Sequence, residues 1–135
     1  MAAPKGNLTP AQYEIMSTVW AADDRGLTVA EIWQAIARER AIGRTTVLNQ
    51  VDRLERRGWL RRIADDGPSR FRATISQEDA SQQLVAGFLS DYFQGSTTDL
   101  MSALLGSDAC ELTRSEVDRL RKLLGQVRRR REDPS

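Results

Sequence analysis

Thr45, Asn49 and Arg53 follow one another at helical spacing in the segment Arg44–Arg57. With Thr45 set at zero and 3.6 residues per turn, Asn49, Arg53 and Thr46 fall at roughly 40°, 80° and 100°. Arg56 and Asp52 lie close by, and Val47, Leu48, Val51 and Leu54 gather between roughly 180° and 300°. One side of the helix is therefore expected to grip a core, and the other to present hydroxyls, a carboxamide and guanidinium groups. Those groups match the edges of bases: arginine pairs with guanine, asparagine with adenine, and threonine offers a methyl to thymine. A merely solvated helix face is also polar. It is usually built from Glu and Lys, which favour helix and solubility, rather than from short Thr and Asn side chains. Downstream stand Arg61, Arg62, Arg70 and Arg72, and residues 43–72 together hold eight arginines against four carboxylates. Such a local excess of positive charge suits phosphate contact, although the whole chain carries a net charge of only +1.

The elements that must position these groups announce themselves by their ends. Thr9-Pro10-Ala11-Gln12 places a hydroxyl at an N-cap, proline at the first helical position and a glutamine at the third. The helix it opens carries Tyr13, Ile15, Met16, Val19 and Trp20 and ends near Ala21, before the polar turn Asp23–Gly26. Thr28-Val29-Ala30-Glu31 repeats the capping box and starts a second helix with Ile32, Trp33 and Ile36 on its apolar side. Gly58, a natural left-handed terminator, stops the third. The runs Trp59–Ala64 and Arg70–Ile75 flank Asp65–Ser69 and read as a β-hairpin around a Gly-Pro turn. Helix-turn-helix followed by a basic hairpin is the winged-helix arrangement, in which the third helix enters the major groove and the hairpin lies beside the backbone.

Three further helices are expected. One starts at Ser76 and reaches Phe93, a short one covers Thr97–Leu105, and a last one follows the capping box Thr113–Glu116 and carries Val117, Leu120, Leu123, Leu124 and Val127. The expected fold is mainly α with a small β-hairpin wing. A winged helix-turn-helix domain occupies residues 1–75, a helical dimerisation domain 76–127, and a disordered basic tail 128–135. Three short helices rich in Leu, Val and Phe are too little to close a core alone. Folding back on the winged helix is one outlet for that surface; pairing with a second copy is the other, through Leu84, Phe88, Leu89, Leu100, Leu104, Leu120 and Leu124. A homodimer would also present two recognition helices to a two-fold-symmetric site.

Other chemistries find little support. The chain contains no histidine and a single cysteine, Cys110, which removes the commonest general base, internal disulfides and thiolate metal clusters. No catalytic residues, metal or cofactor are expected. Asp23-Asp24 and Asp65-Asp66 read as turn formers, and Cys110 as a structural residue of the loop 106–112. Trp20, Trp33 and Trp59 could line a ligand cage, but core packing accounts better for the first two. Arg128–Arg131 offer either general phosphate attraction or a solvated terminus. The opening MAAPKGN is not an apolar signal, and no run approaches the roughly 20 apolar residues of a membrane span, so a cytoplasmic location is expected.

From Leu8 to about Val127 the chain resembles the penicillinase-repressor family. The resemblance lies in Leu8-Thr9, Glu14-Ile15-Met16, Val19-Trp20, Leu27–Ile32, Thr45–Leu48, Val51–Gly58, Arg70-Phe71-Arg72, Leu112-Thr113 and Glu116-Val117, in this order and spacing. It implies a homodimeric repressor that occupies operator DNA and blocks transcription. By position it carries major-groove reading to Arg44, Thr45, Thr46, Asn49 and Arg53, with Arg70 and Arg72 near phosphates and Arg61 on the same hairpin. In one branch of the family a membrane metalloprotease system, an antirepressor, triggers cleavage in the dimerisation domain. The cut bond, often Asn–Phe, aligns here with Ala103–Leu104. A copper-responsive branch has a C-terminal cysteine motif, where this chain has only Cys110. A winged helix that binds another protein, and a regulator released by a small ligand, remain as alternatives.

Overall fold

The computed structural model describes residues 4–63, 67–107 and 111–132, so Asp65-Asp66 and Cys110 lie outside the described residues. The chain divides into two compact units, Met1–Gly95 and Ser96–Ser135. The first contains α1 (Pro10–Ala21), β1 (Leu27–Thr28), α2 (Val29–Ala37), α3 (Arg44–Arg56), β2 (Leu60–Ile63), β3 (Arg70–Ala73) and α4 (Gln77–Phe93). The second contains α5 (Thr97–Leu105) and α6 (Arg114–Glu132).

Both expected capping boxes of the first unit are formed. Thr9 accepts from the Gln12 amide while Gln12 reaches back to the Thr9 amide, and Thr28 and Glu31 do the same for α2. Two of the orphan amides at each helix start are thereby satisfied. Among the described residues Gln12 is the one buried polar side chain of the core. Its amide nitrogen donates to Gln50 and its carbonyl also accepts from Arg57, so the cap of α1 is tied to the middle of α3 and to its C-terminal end. Helices α1, α2 and α3 pack against one another in all three pairs. Their interface is Ile15, Met16, Val19, Ile32, Ile36, Val47, Val51 and Leu54, all 5% exposed or less.

Gly58 has φ +84 and ends α3 as expected, with the Trp59 amide donating back to Leu54. The hairpin forms in antiparallel register, Leu60 opposite Ala73 and Arg61 opposite Arg72. A third strand, absent from the sequence reading, completes the sheet: β1 pairs with β3, Leu27 opposite Phe71. Two residues are too short to show an alternating pattern, so the strand is defined only by its partner. Gly26 makes the approach possible. Its φ is +74, and a Cβ there would lie 2.5 Å from the Phe71 carbonyl oxygen.

Two expectations are corrected. Trp59, left out of the expected core, is fully buried; Trp20 and Trp33 pack against the core as expected, half-buried, and donate their indole N–H groups to the Ile75 and Ile42 carbonyls. The basic tail was expected to be disordered from residue 128. Instead α6 runs on to Glu132, and Arg128 bonds Glu132 across one turn. Arginine is a strong helix former, and nothing in the run Arg128–Arg131 interrupts the turn. Ser76 caps α4, its hydroxyl accepting from the Asp79 amide, and Ala80 and Leu84 of the helix pack on the winged-helix core.

Candidate nucleic-acid interface

The two faces of α3 separate cleanly. Val47, Val51 and Leu54 are fully buried, and Arg44, Thr45, Thr46, Asn49, Arg53 and Arg56 are exposed. Among the described residues Arg53 makes no hydrogen bond or ion pair, and neither do Thr45, Thr46 and Asn49 through their side chains. Arg56 is held by Asp52 at 3.2 Å, which places a neutralised pair beside them. Arg44 lies over the Trp33 ring at 5.9 Å, a cation–π contact that orients its guanidinium at the start of the helix. The exposed strip from Thr45 to Arg53 thus offers uncompensated donors and acceptors along about two turns.

Leu48 departs from the sequence reading. It was placed with the buried side of α3, yet it is 51% exposed. At the edge of the apolar arc, whether a side chain is covered depends on the neighbouring element, and here α2 and the hairpin leave it open.

The hairpin arginines divide by what they touch. Arg61 is exposed and unpaired among the described residues. Arg62 is engaged: it bonds Glu55 at 3.2 Å and Ser69 at 3.2 Å and lies over the Phe71 ring, and the Glu55 carboxylate raises its pKa further. Arg72 faces Asp24 at 3.8 Å, a loose contact that leaves 40% of its side chain exposed. Arg70, expected at a phosphate, is half-buried and engaged by its own chain. It donates to the Gly26 carbonyl and pairs with Glu31, both at 3.1 Å. Glu31 is held below the usual carboxylate range, first by the Thr28 amide bonded to it and then by Arg70. The guanidinium of Arg70 therefore pins β3 to the start of α2. Only tertiary pairing distinguishes it from Arg72, two residues on and on the same side of the strand.

Arg70→Ala is accordingly expected to cost about 1 kcal/mol of stability, measured by urea denaturation. An unchanged midpoint would return Arg70 to the solvent-facing set.

The residues expected at a dimer contact fall into three groups. Leu84 packs on the core of its own chain. Leu89, Leu100 and Leu120 are half-buried. Phe88, Leu104 and Leu124 are exposed at 46%, 47% and 67%, in company with Tyr92, Leu105, Leu123 and Val127. Neither α5 nor α6 contains a buried residue. Ala103 and Leu104 are both exposed on α5. No group of three metal-ligating side chains occurs among the described residues, and no helix among them is long and apolar enough to cross a membrane.

Comparison with known proteins gives a family and a fold. The family described as penicillinase repressor matches residues 8–126. No curated protein matches the sequence. Among solved structures, a single-substitution mutant of S. aureus MepR superposes with a TM-score of 0.51 at 20% identity, covering 89% of this chain and 77% of that one. The S. aureus MepR–DNA complex gives 0.47 at 22% identity over 89% and 76%. Oxidised MarR from E. coli gives 0.48 at 22% over 89% and 75%. The first of these supports the winged-helix fold.

Proposed function

Because the chain belongs to the penicillinase-repressor family, whose members regulate transcription and are not enzymes, we propose that it represses transcription as a homodimer on a pseudo-palindromic operator. In this reading α3 enters the major groove, and Arg61 and Arg72 of the hairpin lie beside the phosphates. One observation carries it. The outward strip of α3 holds Thr45, Thr46, Asn49 and Arg53, the last unpaired among the described residues, while its opposite side is sealed into the core. A helix fixed along its apolar side and open along a strip of base-reading groups has the geometry of a recognition helix. Working on chromosomal DNA would place the protein in the cytoplasm.

The proposal of a dimer rests on the apolar side chains left uncovered in one chain. Phe88 and Tyr92 in the first unit, and Leu104, Leu105, Leu123, Leu124 and Val127 in the second, are each at least 46% exposed, and uncovered apolar side chains in such number mark an interface. A second copy is the natural occupant, since a symmetric pair supplies one α3 to each half-site. Residues 1–75 are assigned to DNA and the dimerisation domain to 76–127, with α4 serving both through Ala80 near its start and Phe88 nearer its end. Release by cleavage at Ala103–Leu104 belongs to the same proposal, with an antirepressor membrane metalloprotease system as the partner. The bond lies between two exposed residues, and cutting it would sever α5 within the surface assigned to the second copy.

The test is a duplex selected by the protein from a random pool, followed by fluorescence anisotropy at several salt concentrations. Asn49→Ala and Arg53→Ala are each expected to cost about 1–3 kcal/mol of binding and to relax preference at one position per half-site. Arg61→Ala should weaken all duplexes alike and lower the salt slope by about one. If all three variants bind the selected duplex as the parent does, α3 does not face DNA.

A further inference from the structure

We propose that Leu48 is a specificity residue that reads the C5 methyl group of a thymine; the inference rests on the DNA-binding reading of α3 given above. Leu48 is 51% exposed on a helix whose other aliphatic residues, Val47, Val51 and Leu54, are fully buried. The core is complete without it. It stands one turn after Arg44 on the same edge of α3. With Arg44, Arg62 and Phe71 it lines a hollow of ≈ 290 Å³ bounded by α3, the hairpin and the start of α2 at Thr28–Ala30. A leucine side chain has no donor or acceptor, so it cannot recognise the polar edge of any base. In the major groove the one apolar feature that differs between bases is the thymine methyl. Arg44, with no carboxylate partner among the described residues, puts positive charge at one side of the hollow, while Arg62 at the other is paired with Glu55. The open charge of Arg44 favours a nucleic-acid strand over an apolar peptide as the occupant. Leu48 sits one turn from Thr45 and about 60° round the helix from it. A base contacted by Leu48 would therefore adjoin the one read by Thr45.

A deoxyribose could fill the same hollow, and the two contacts differ in what they discriminate. A thymine contact is lost when the methyl is removed, whereas a sugar contact is indifferent to it. The experiment uses the full chain and the duplex it selects from a random pool. Each thymine of one half-site is replaced in turn by deoxyuridine, and binding of the parent protein and of Leu48→Ala is compared. The expected result is one thymine whose replacement weakens the parent about fourfold, the effect of withdrawing one methyl from apolar contact. At that position Leu48→Ala should bind the thymine and uracil duplexes equally. If Leu48→Ala shows the same uracil profile as the parent, or if no position responds to uracil, Leu48 does not read a methyl. A pool that yields no preferred sequence overturns the DNA reading itself. Leu48 is 51% exposed, so its truncation leaves the core intact, and comparing thymine with uracil on the same protein cancels any general loss of affinity in the variant.

Discussion

Leu124→Asp is expected to convert the protein from dimer to monomer in sedimentation equilibrium and to weaken operator binding about a hundredfold to ten-thousandfold. Leu124 is 67% exposed in the single chain and lies on α6, which has no buried residue. A carboxylate there should therefore be tolerated by the monomer and resisted only by an apolar partner surface. The size of the effect follows from linkage. When two recognition helices are joined, binding of the second is intramolecular, and that advantage disappears once the copies separate. Binding to a single half-site should remain, with Asn49 and Arg53 still contributing. An equal loss for half-site and full-site duplexes would mean that the introduced carboxylate disturbs the winged helix rather than the pairing. A variant that stays dimeric with unchanged affinity would remove α6 from the interface.

Trp59→Ala should cost about 3–5 kcal/mol of stability, as for other fully buried aromatic residues cut back to alanine. The ring is fully buried next to Leu60, and its indole N–H donates to the Lys5 carbonyl at 3.1 Å. Lys5 is held at the same place by Arg57, which bonds its carbonyl and also that of Asn7. Loss of the indole thus opens a cavity at the end of α3 and loosens the segment that crosses it. Domains of this size have total stabilities of about 5–15 kcal/mol, so much of the population should be unfolded at physiological temperature. Urea denaturation followed by circular dichroism measures the change without relying on the tryptophan signal. Trp59→Phe should recover most of it, because the phenyl ring refills most of the cavity and only the indole bond to Lys5 is lost. A loss below about 1 kcal/mol would show that the site collapses around the missing ring.

The helices were legible because their signals are local. Thr9 with Gln12, and Thr28 with Glu31, lie three residues apart and form the expected reciprocal bonds. The periodicity of α3 put Val47, Val51 and Leu54 inside and Thr45, Asn49 and Arg53 outside, where they are found. The misreadings have a common cause in contacts between distant segments. Leu48 belongs to the apolar arc by angle, but no neighbouring element covers it. Arg70 resembles Arg72 in every local respect, yet Glu31 and Gly26, far earlier in the chain, engage it. Trp59 follows a helix-ending glycine, a place where surface residues are common, and it is anchored inside by the carbonyl of Lys5, near the start of the chain. The two strands of the hairpin were visible in the sequence, but β1 was not, because its two residues carry no pattern without β3 beside them.

From its amino-acid order alone, then, the chain determined where helices begin and end, which side of each is apolar and where positive charge is concentrated. These properties depend on residues within four positions of one another, through capping bonds and a fixed helical repeat. Tertiary structure decided which arginines remain free for a ligand, which aliphatic side chains stay uncovered and which tryptophan anchors the core. Each of those outcomes depends on what another part of the chain brings alongside, and a side chain cannot express that in its own neighbourhood of sequence.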